Sequence, residues 1–297
     1  MSRSPRLALR RHVLPLVVVA LALLAPTAPR AQQSVFKAAV DSVRVDVEVR
    51  RGGRPVLGLT AADFEIVDDG VRQRAELMST TRLPLNVVLA LDGSASLEAR
   101  EREHLVAAGR RVVDALRPDE TAALVTFSDR VAIQTLFTDD LPRLRTLVAA
   151  PMPFGDTALH DAAHVAMLLG GSATGRALVI LLSNGNDTAS LLTETAVIDT
   201  ARRTGTVVCV VTVGAESSVL PKLAELTGGV FVKETSLDRV ASRFGELLES
   251  FRQRYLVSFT PTRSGKAGWH PLAVRVKGGG DVRARSGYWA GSTAEAP

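Results

Sequence analysis

Apolar and polar positions fall into three regimes along this chain. Over residues 42–50 (SVRVDVEVR) valine alternates with polar residues, the period of a strand with one covered face. Residues 64–67 and 73–78 continue that regime, with 51–55 and 68–70 as turns rich in Gly and Asp. From Pro84 the pattern changes. Residues 87–91, 176–183 and 206–213 are apolar runs, which suits central parallel strands covered on both faces. Helical periodicity lies between and after them, over 97–116, 140–149, 158–169, 194–204, 217–227 and 237–252. Residues 121–127 and 131–137 follow one another with only a turn between them, which predicts one antiparallel edge. A short strand is expected at 230–232.

After Arg254 the β pattern returns, over 255–259, 272–276 and 282–288. Strands alternating with helices predict an α/β fold with a doubly wound, mostly parallel sheet. The two β-rich flanks each lack a partner sheet, so together they are expected to form one β-sandwich. The expected division is 1–31 leader, 32–82 N-terminal strands, 83–253 α/β domain, 254–289 C-terminal strands and 290–297 disordered tail.

Charge changes the picture only at the start. The formal net charge is +5, which by itself invites a nucleic-acid reading. Arg3, Arg6, Arg10, Arg11 and Arg30 account for that whole excess, and no acid occurs before Asp41. The basic balance therefore belongs to a targeting segment, and no nucleic acid is expected as partner. Residues 2–12 form a basic region, 13–25 an apolar run too short for a comfortable membrane span, and Ala28-Pro29-Arg30-Ala31 a small-residue cleavage region. The mature chain is expected to be exported, to a periplasm or the outside, and to touch a membrane only if this segment stays uncleaved. The single cysteine, Cys209, lies in an apolar run, so the fold has no intrachain disulfide to lean on.

The candidate chemistry sits where the apolar run 87–91 stops. Asp92-Gly93-Ser94-Ala95-Ser96 places one carboxylate and two hydroxyls at the carboxyl end of a strand, where open α/β sheets place ligand sites. These are hard oxygen donors of the kind Mg²⁺ accepts. Thr157 precedes a helix, and Asn184 follows the run 176–183, so both fall on the same edge of the sheet. Each residue also has a plainer reading. Ser94, Ser96 or Thr157 would serve as a helix N-cap, and Asn184-Gly185 as a turn. His160 and His164 share a helix face at i, i+4 and suggest zinc, but the glutamate of a His-Glu-x-x-His motif is absent.

With these residues in view, the chain resembles the von Willebrand factor A domain family and its metal-ion-dependent adhesion site. Residues 92–96 match the family's Asp-x-Ser-x-Ser loop. Residues 155–162 (GDTALHDA) are similar to its Thr-bearing stretch, and 181–188 (LLSNGNDT) to its Leu-Leu-Ser-Asp-Gly stretch. The likeness extends into both flanks, at 59–65 and 285–288, and is to a secreted bacterial subgroup. It implies a cation, Mg²⁺ or Mn²⁺, held by Asp92, Ser94, Ser96, Thr157 and Asn184, and completed by an Asp or Glu of a partner protein. The departure is Asn184, where the family has Asp. An amide still accepts a hydrogen bond from metal-bound water but brings no charge, and losing such a supporting group costs about 10–100-fold in affinity. Asp187 is close enough in sequence to compensate. The expected function is a non-enzymatic adhesion or assembly module. The alternatives are a scaffold with a vestigial metal site and, with only the two histidines behind it, a hydrolase.

Overall fold

The computed structural model describes residues 42–78, 83–150, 154–213, 218–234, 236–262 and 267–291. The expected leader lies outside them, as does all but the start of the expected tail. The N-terminal flank supplies β1 (Val43–Arg51), β2 (Arg54–Pro55), β3 (Phe64–Asp68), β4 (Val71–Gln73) and β5 (Glu76–Met78). The central part runs β6 (Leu85–Asp92), α1 (Ala99–Ala115), β7 (Thr121–Phe127), β8 (Val131–Thr138), α2 (Leu141–Ala149), α3 (Leu159–Ser172), β9 (Arg176–Ser183), α4 (Glu194–Arg203), β10 (Val207–Val213), α5 (Val219–Thr227), β11 (Phe231–Glu234) and α6 (Leu237–Arg252). The C-terminal flank adds β12 (Tyr255–Phe259), β13 (Gly268–Val276), β14 (Asp281–Arg283) and β15 (Gly287–Ala290).

The central sheet has the order β11-β10-β9-β6-β7-β8. All its pairs are parallel except β7 with β8, the expected antiparallel edge. Successive residues of β6 point to opposite faces, and both faces are covered. Val87, Leu89 and Leu91 join a core with α1, α2 and α6, while Val88 and Ala90 join a second core with α3, α4 and α5. That two-sided burial is why the run shows no polar alternation. The winding changes direction between β6 and β9. Ligands of open α/β sheets bind outside the carboxyl ends of strands at such a point, and here those ends carry Asp92 and Asn184.

The flanks form two antiparallel sheets, β14-β1-β12-β5 with β2 beside β1, and β15-β13-β3-β4. Val45, Val47, Phe64, Ile66, Val257, Phe259, Leu272 and Tyr288 from both sheets share one core, so the expected sandwich is present. Two expected strands are each divided. The run 73–78 breaks at Arg74-Ala75, with β4 pairing β3 in one sheet and β5 pairing β12 in the other. The run 282–288 divides in the same way, into β14 against β1 and β15 against β13. Each is a place where the chain crosses between the layers, which local alternation does not encode. The expected tail boundary also moves, because Ala290 belongs to β15 and pairs with Gly268.

The sandwich is joined to the central sheet by buried polar contacts. Arg176, at the start of β9, bonds Asp46 of β1 at 2.7 Å and the Phe251 carbonyl of α6 at 2.9 Å. Glu48 of β1 receives Arg50, Arg283 and Ser250. Burial alone would raise its pKa, but Ser250 and the arginines hold it below the ordinary carboxylate value. At the end of α5, Gly228 has φ +74 and lies against the backbone of Ala284, 2.4 Å from where a Cβ would stand. Only glycine combines that left-handed turn with so close an approach. The helix expected to end at 169 continues through Gly170, where a Cβ would meet the Thr206 side chain. Glycine there serves close packing rather than termination.

Candidate metal centre

Asp92 ends β6 fully buried. Its Oδ1 accepts the Ser94 backbone N–H at 2.8 Å, and its Oδ2 accepts the Ser183 hydroxyl at 2.7 Å. The Ser94 and Ser96 hydroxyls lie 2.8 Å apart, and the Asn184 side-chain amide donates to Ser96 Oγ at 2.7 Å. Ser96 therefore has its own proton free to pass toward Ser94, whose hydroxyl in turn acts on Asp92. Asn184, the two serines and the carboxylate thus form one hydrogen-bonded string, with either serine able to donate to the other.

The second loop is fastened to the first and the third by backbone hydrogen bonds. Ala95 N–H donates to Gly155 O at 2.7 Å, and Thr188 and Ala189 N–H both donate to Thr157 O. Thr157 is buried, and among the described residues its hydroxyl makes no hydrogen bond. The structure thus links Asp92, Ser94, Ser96 and Asn184 through side chains, and brings Thr157 alongside through its loop.

The capping alternatives can now be weighed against geometry. Helix α1 starts at Ala99, and the Glu98 backbone N–H is met by the Glu101 side chain at 2.7 Å. Ser94 and Ser96 lie before that turn and bond elsewhere. At α3, the free N–H groups of Leu159 and His160 are taken by the Asp187 carboxylate at 2.8 and 3.2 Å. Asp187 is thus the cap of α3, held also by Ser190, and is not turned to compensating at the metal loop. Asn184 does start a turn, since Gly185 has φ +93 and Asn184 Oδ1 accepts the Asn186 N–H at 3.3 Å. The consequence is that the amide presents its nitrogen, not its oxygen, to Ser96.

Ser183 carries a role that the residue pattern did not bring out. Its hydroxyl holds Asp92 and accepts the Gly185 N–H at 3.1 Å, so it fixes both the carboxylate and the turn behind it. The signal was present as a hydroxyl ending an otherwise apolar strand. The histidines are engaged elsewhere. His164 Nδ1 meets Thr200 Oγ1 at 2.7 Å, and His160 Nδ1 faces Leu192 O at 3.3 Å and Asp187 at 3.5 Å.

Electrostatics suit a cation. Burial pushes the Asp92 carboxyl above its ordinary value, against the pull of its hydrogen bonds, and among the described residues it makes no ion pair. A buried carboxylate without a counter-charge is costly unless it is paired or binds metal. Surrounding it with hydroxyls gives the donor set a small divalent cation accepts.

His104 on α1 provides a separate, pH-dependent contact. Its Nδ1 lies 2.8 Å from Arg100 O and its Nε2 3.0 Å from Asp238 Oδ1 on α6. Both ring nitrogens face acceptors, so only the imidazolium satisfies both. The Arg100 carbonyl and Asp238 raise its pKa above the ordinary histidine value. A raised histidine gives stability that is full below the unfolded value and lost as pH rises through the folded one. Urea midpoints at low salt should therefore fall slightly between about pH 6 and about pH 8, and His104→Gln should remove that slope. Asp238 is exposed, so salt should shrink the effect.

Comparison with known proteins places these features in a wider set. The family profile described as von Willebrand factor type A domain matches residues 86–243. Among solved structures, the chain is similar to proximal thread matrix protein 1 from the mussel byssus, at 19% identity and TM-score 0.52, over 63% of this chain and 50% of that one. It is similar to the same mussel protein with a zinc-occupied MIDAS motif, at 20% identity and TM-score 0.51, over 61% and 49%. It is also similar to the vWF domain of the type V pili tip protein Mfa5 from Porphyromonas gingivalis, at 14% identity and TM-score 0.48, over 57% and 95%. The chain spans about half the length of the mussel protein. No curated protein matches it.

Proposed function

Since the chain belongs to the von Willebrand factor type A domain family, we propose that it is an exported, non-enzymatic protein-binding module of the adhesion or assembly kind. Residues 83–253 are the binding domain, and the flanks 32–82 and 254–289 are its support. Asp92, Ser94, Ser96 and Thr157 are the direct ligands of Mg²⁺ or Mn²⁺, with Asn184 supporting. A bound divalent cation would supply a vacant position that an Asp or Glu side chain of a partner fills. Asp92 brings the only negative charge, the three hydroxyls orient about it, and Ser183 fixes the carboxylate.

The observation that carries this reading is the buried Asp92 carboxylate, without an ion pair among the described residues, inside a knot of hydroxyls. With one carboxylate against two positive charges, the site stays attractive to an incoming acid. The MIDAS motif named for the mussel protein is the one we assign to these residues.

A second reading, a scaffold with a vestigial site, has its own observation behind it. Asn184 turns its nitrogen to Ser96, so its carboxamide would have to reverse before its oxygen accepted from a metal-bound water. Calorimetric titration with Mg²⁺ and Mn²⁺ separates the two. The binding module predicts millimolar or tighter affinity for the native chain, loss with Ser94→Ala at unchanged thermal stability in EDTA, and an increase of about 10–100-fold with Asn184→Asp. Binding seen only in Asn184→Asp would leave the scaffold.

A further inference from the structure

Two of the large apolar side chains exposed on this molecule stand on the loops of the candidate site. Among the described residues the most exposed are Leu191 at 93% and Phe154 at 70%. Both sit on loops that carry proposed metal ligands. Phe154 immediately precedes Gly155, whose carbonyl receives Ala95 N–H of the Asp92–Ser96 loop. Leu191 lies on the loop that follows Asn184, and its backbone N–H donates to Asp161 of α3 at 3.0 Å. The two are held in place rather than loose. The Arg102 guanidinium lies over the Phe154 ring at 5.1 Å and bonds Ser94 O at 3.0 Å, which ties that ring to the metal loop. Asp161 likewise accepts from Leu192 N–H at 2.9 Å and so fixes the turn that presents Leu191.

Exposed apolar side chains cost free energy in water unless something covers them, and fixed aromatic and aliphatic anchors are what binding hot spots use. We infer that Phe154 and Leu191 are apolar anchors on either side of the metal, and that the partner's acidic residue lies in an extended segment with a large apolar residue on each side of it. This rests on the metal-dependent reading above, which supplies the acid. Charge complementarity sets the middle of the segment, since one carboxylate leaves a divalent cation under-neutralised. The anchors set its flanks. An extended chain advances about 3.3 Å per residue. Leu191 stands three residues beyond Thr188, which is bonded to Thr157, so the flanking positions fall within about three residues of the acid.

The test uses displayed random peptides with one fixed aspartate, selected on the native chain in Mg²⁺ and eluted with EDTA. Enrichment of large apolar residues on both sides of the aspartate is expected. Selection on Phe154→Ala should lose the preference on one side, and on Leu191→Ala the preference on the other. Affinity of the native winners should fall about tenfold with each variant, while Mg²⁺ affinity stays unchanged. Peptides that EDTA elutes but whose flanks are random, or whose affinity both variants leave intact, overturn the anchors and spare the metal reading. Failure to obtain any EDTA-eluted peptide overturns both.

Discussion

Asp92→Asn is expected to lower divalent-cation affinity at least about 100-fold while leaving the metal-free chain as stable as before, or more so. Removing a group that merely supports a metal ligand costs about 10–100-fold, and removing the only charged ligand should exceed that. The stability half follows from burial. The carboxylate is fully enclosed, meets hydroxyls and backbone N–H groups, and makes no ion pair among the described residues. An amide of the same shape keeps its one oxygen for the Ser94 N–H and turns its nitrogen to the Ser183 hydroxyl, which can rotate to accept, and it avoids the desolvation cost of the charge. A metal-binding carboxylate therefore behaves opposite to a structural one, destabilising the empty fold and stabilising the filled one. Melting in EDTA and in saturating Mg²⁺ reads both halves together. Native protein should gain from Mg²⁺ by the usual mass-action relation, and Asp92→Asn should not. A large loss of stability in EDTA would instead assign Asp92 a structural role.

The same contrast explains what could be read from the sequence. The central sheet was legible because strands covered on both faces are uninterrupted apolar runs, as in β6 and β9. The helices between them showed a polar side. The place of Asp92 at the carboxyl end of a strand followed from where the first run stops, while the switch point beside it came only with the strand order. The flanks were legible as strands and as halves of one sandwich, but the places where the chain crosses between its two sheets were not. Nothing local to Arg74-Ala75 or to Ser286 marks a change of sheet, because it is set by contacts some 200 residues away, such as β5 with β12. At the site, the residue types were legible and the roles were only partly so. Ser94 and Ser96 had capping alternatives that only the true start of α1 could decide. Asp187 stood near enough to serve the metal loop, but caps α3 across space. Ser183 was hidden as the last residue of a strand, and became visible once β9 lay beside β6. The orientation of the Asn184 amide depends on Asn186 and Ser96 together, which no spacing rule states.

Arg176 should prove to be the residue that makes flank and centre unfold together. It opens β9 inside the central sheet, yet its guanidinium bonds Asp46 of β1, bonds the Phe251 carbonyl of α6, and lies 4.5 Å from the Phe251 ring centre. Both partners of the ion pair are buried, at 5% and 10% side-chain exposure. Breaking one side of such a pair leaves an uncompensated charge in a dry place, which costs about 3–5 kcal/mol. Arg176→Ala also strips the Phe251 carbonyl of its donor and the ring of its cation. The loss should exceed that of Arg202→Ala, whose partner Asp199 is half exposed and whose ion pair is worth little by comparison. The double variant Arg176→Met, Asp46→Leu should recover much of the loss, because two apolar residues of similar volume leave no stranded charge. Urea unfolding followed both by tryptophan fluorescence, which reports the sandwich through Trp269 and Trp289, and by far-ultraviolet circular dichroism, which reports the helices, gives the decisive comparison. In the native chain the two transitions should coincide, and in Arg176→Ala the sandwich should melt first. Coincident transitions in the variant, or a loss under about 1 kcal/mol, would mean that the sandwich is held to the sheet by its apolar contacts and not through this arginine.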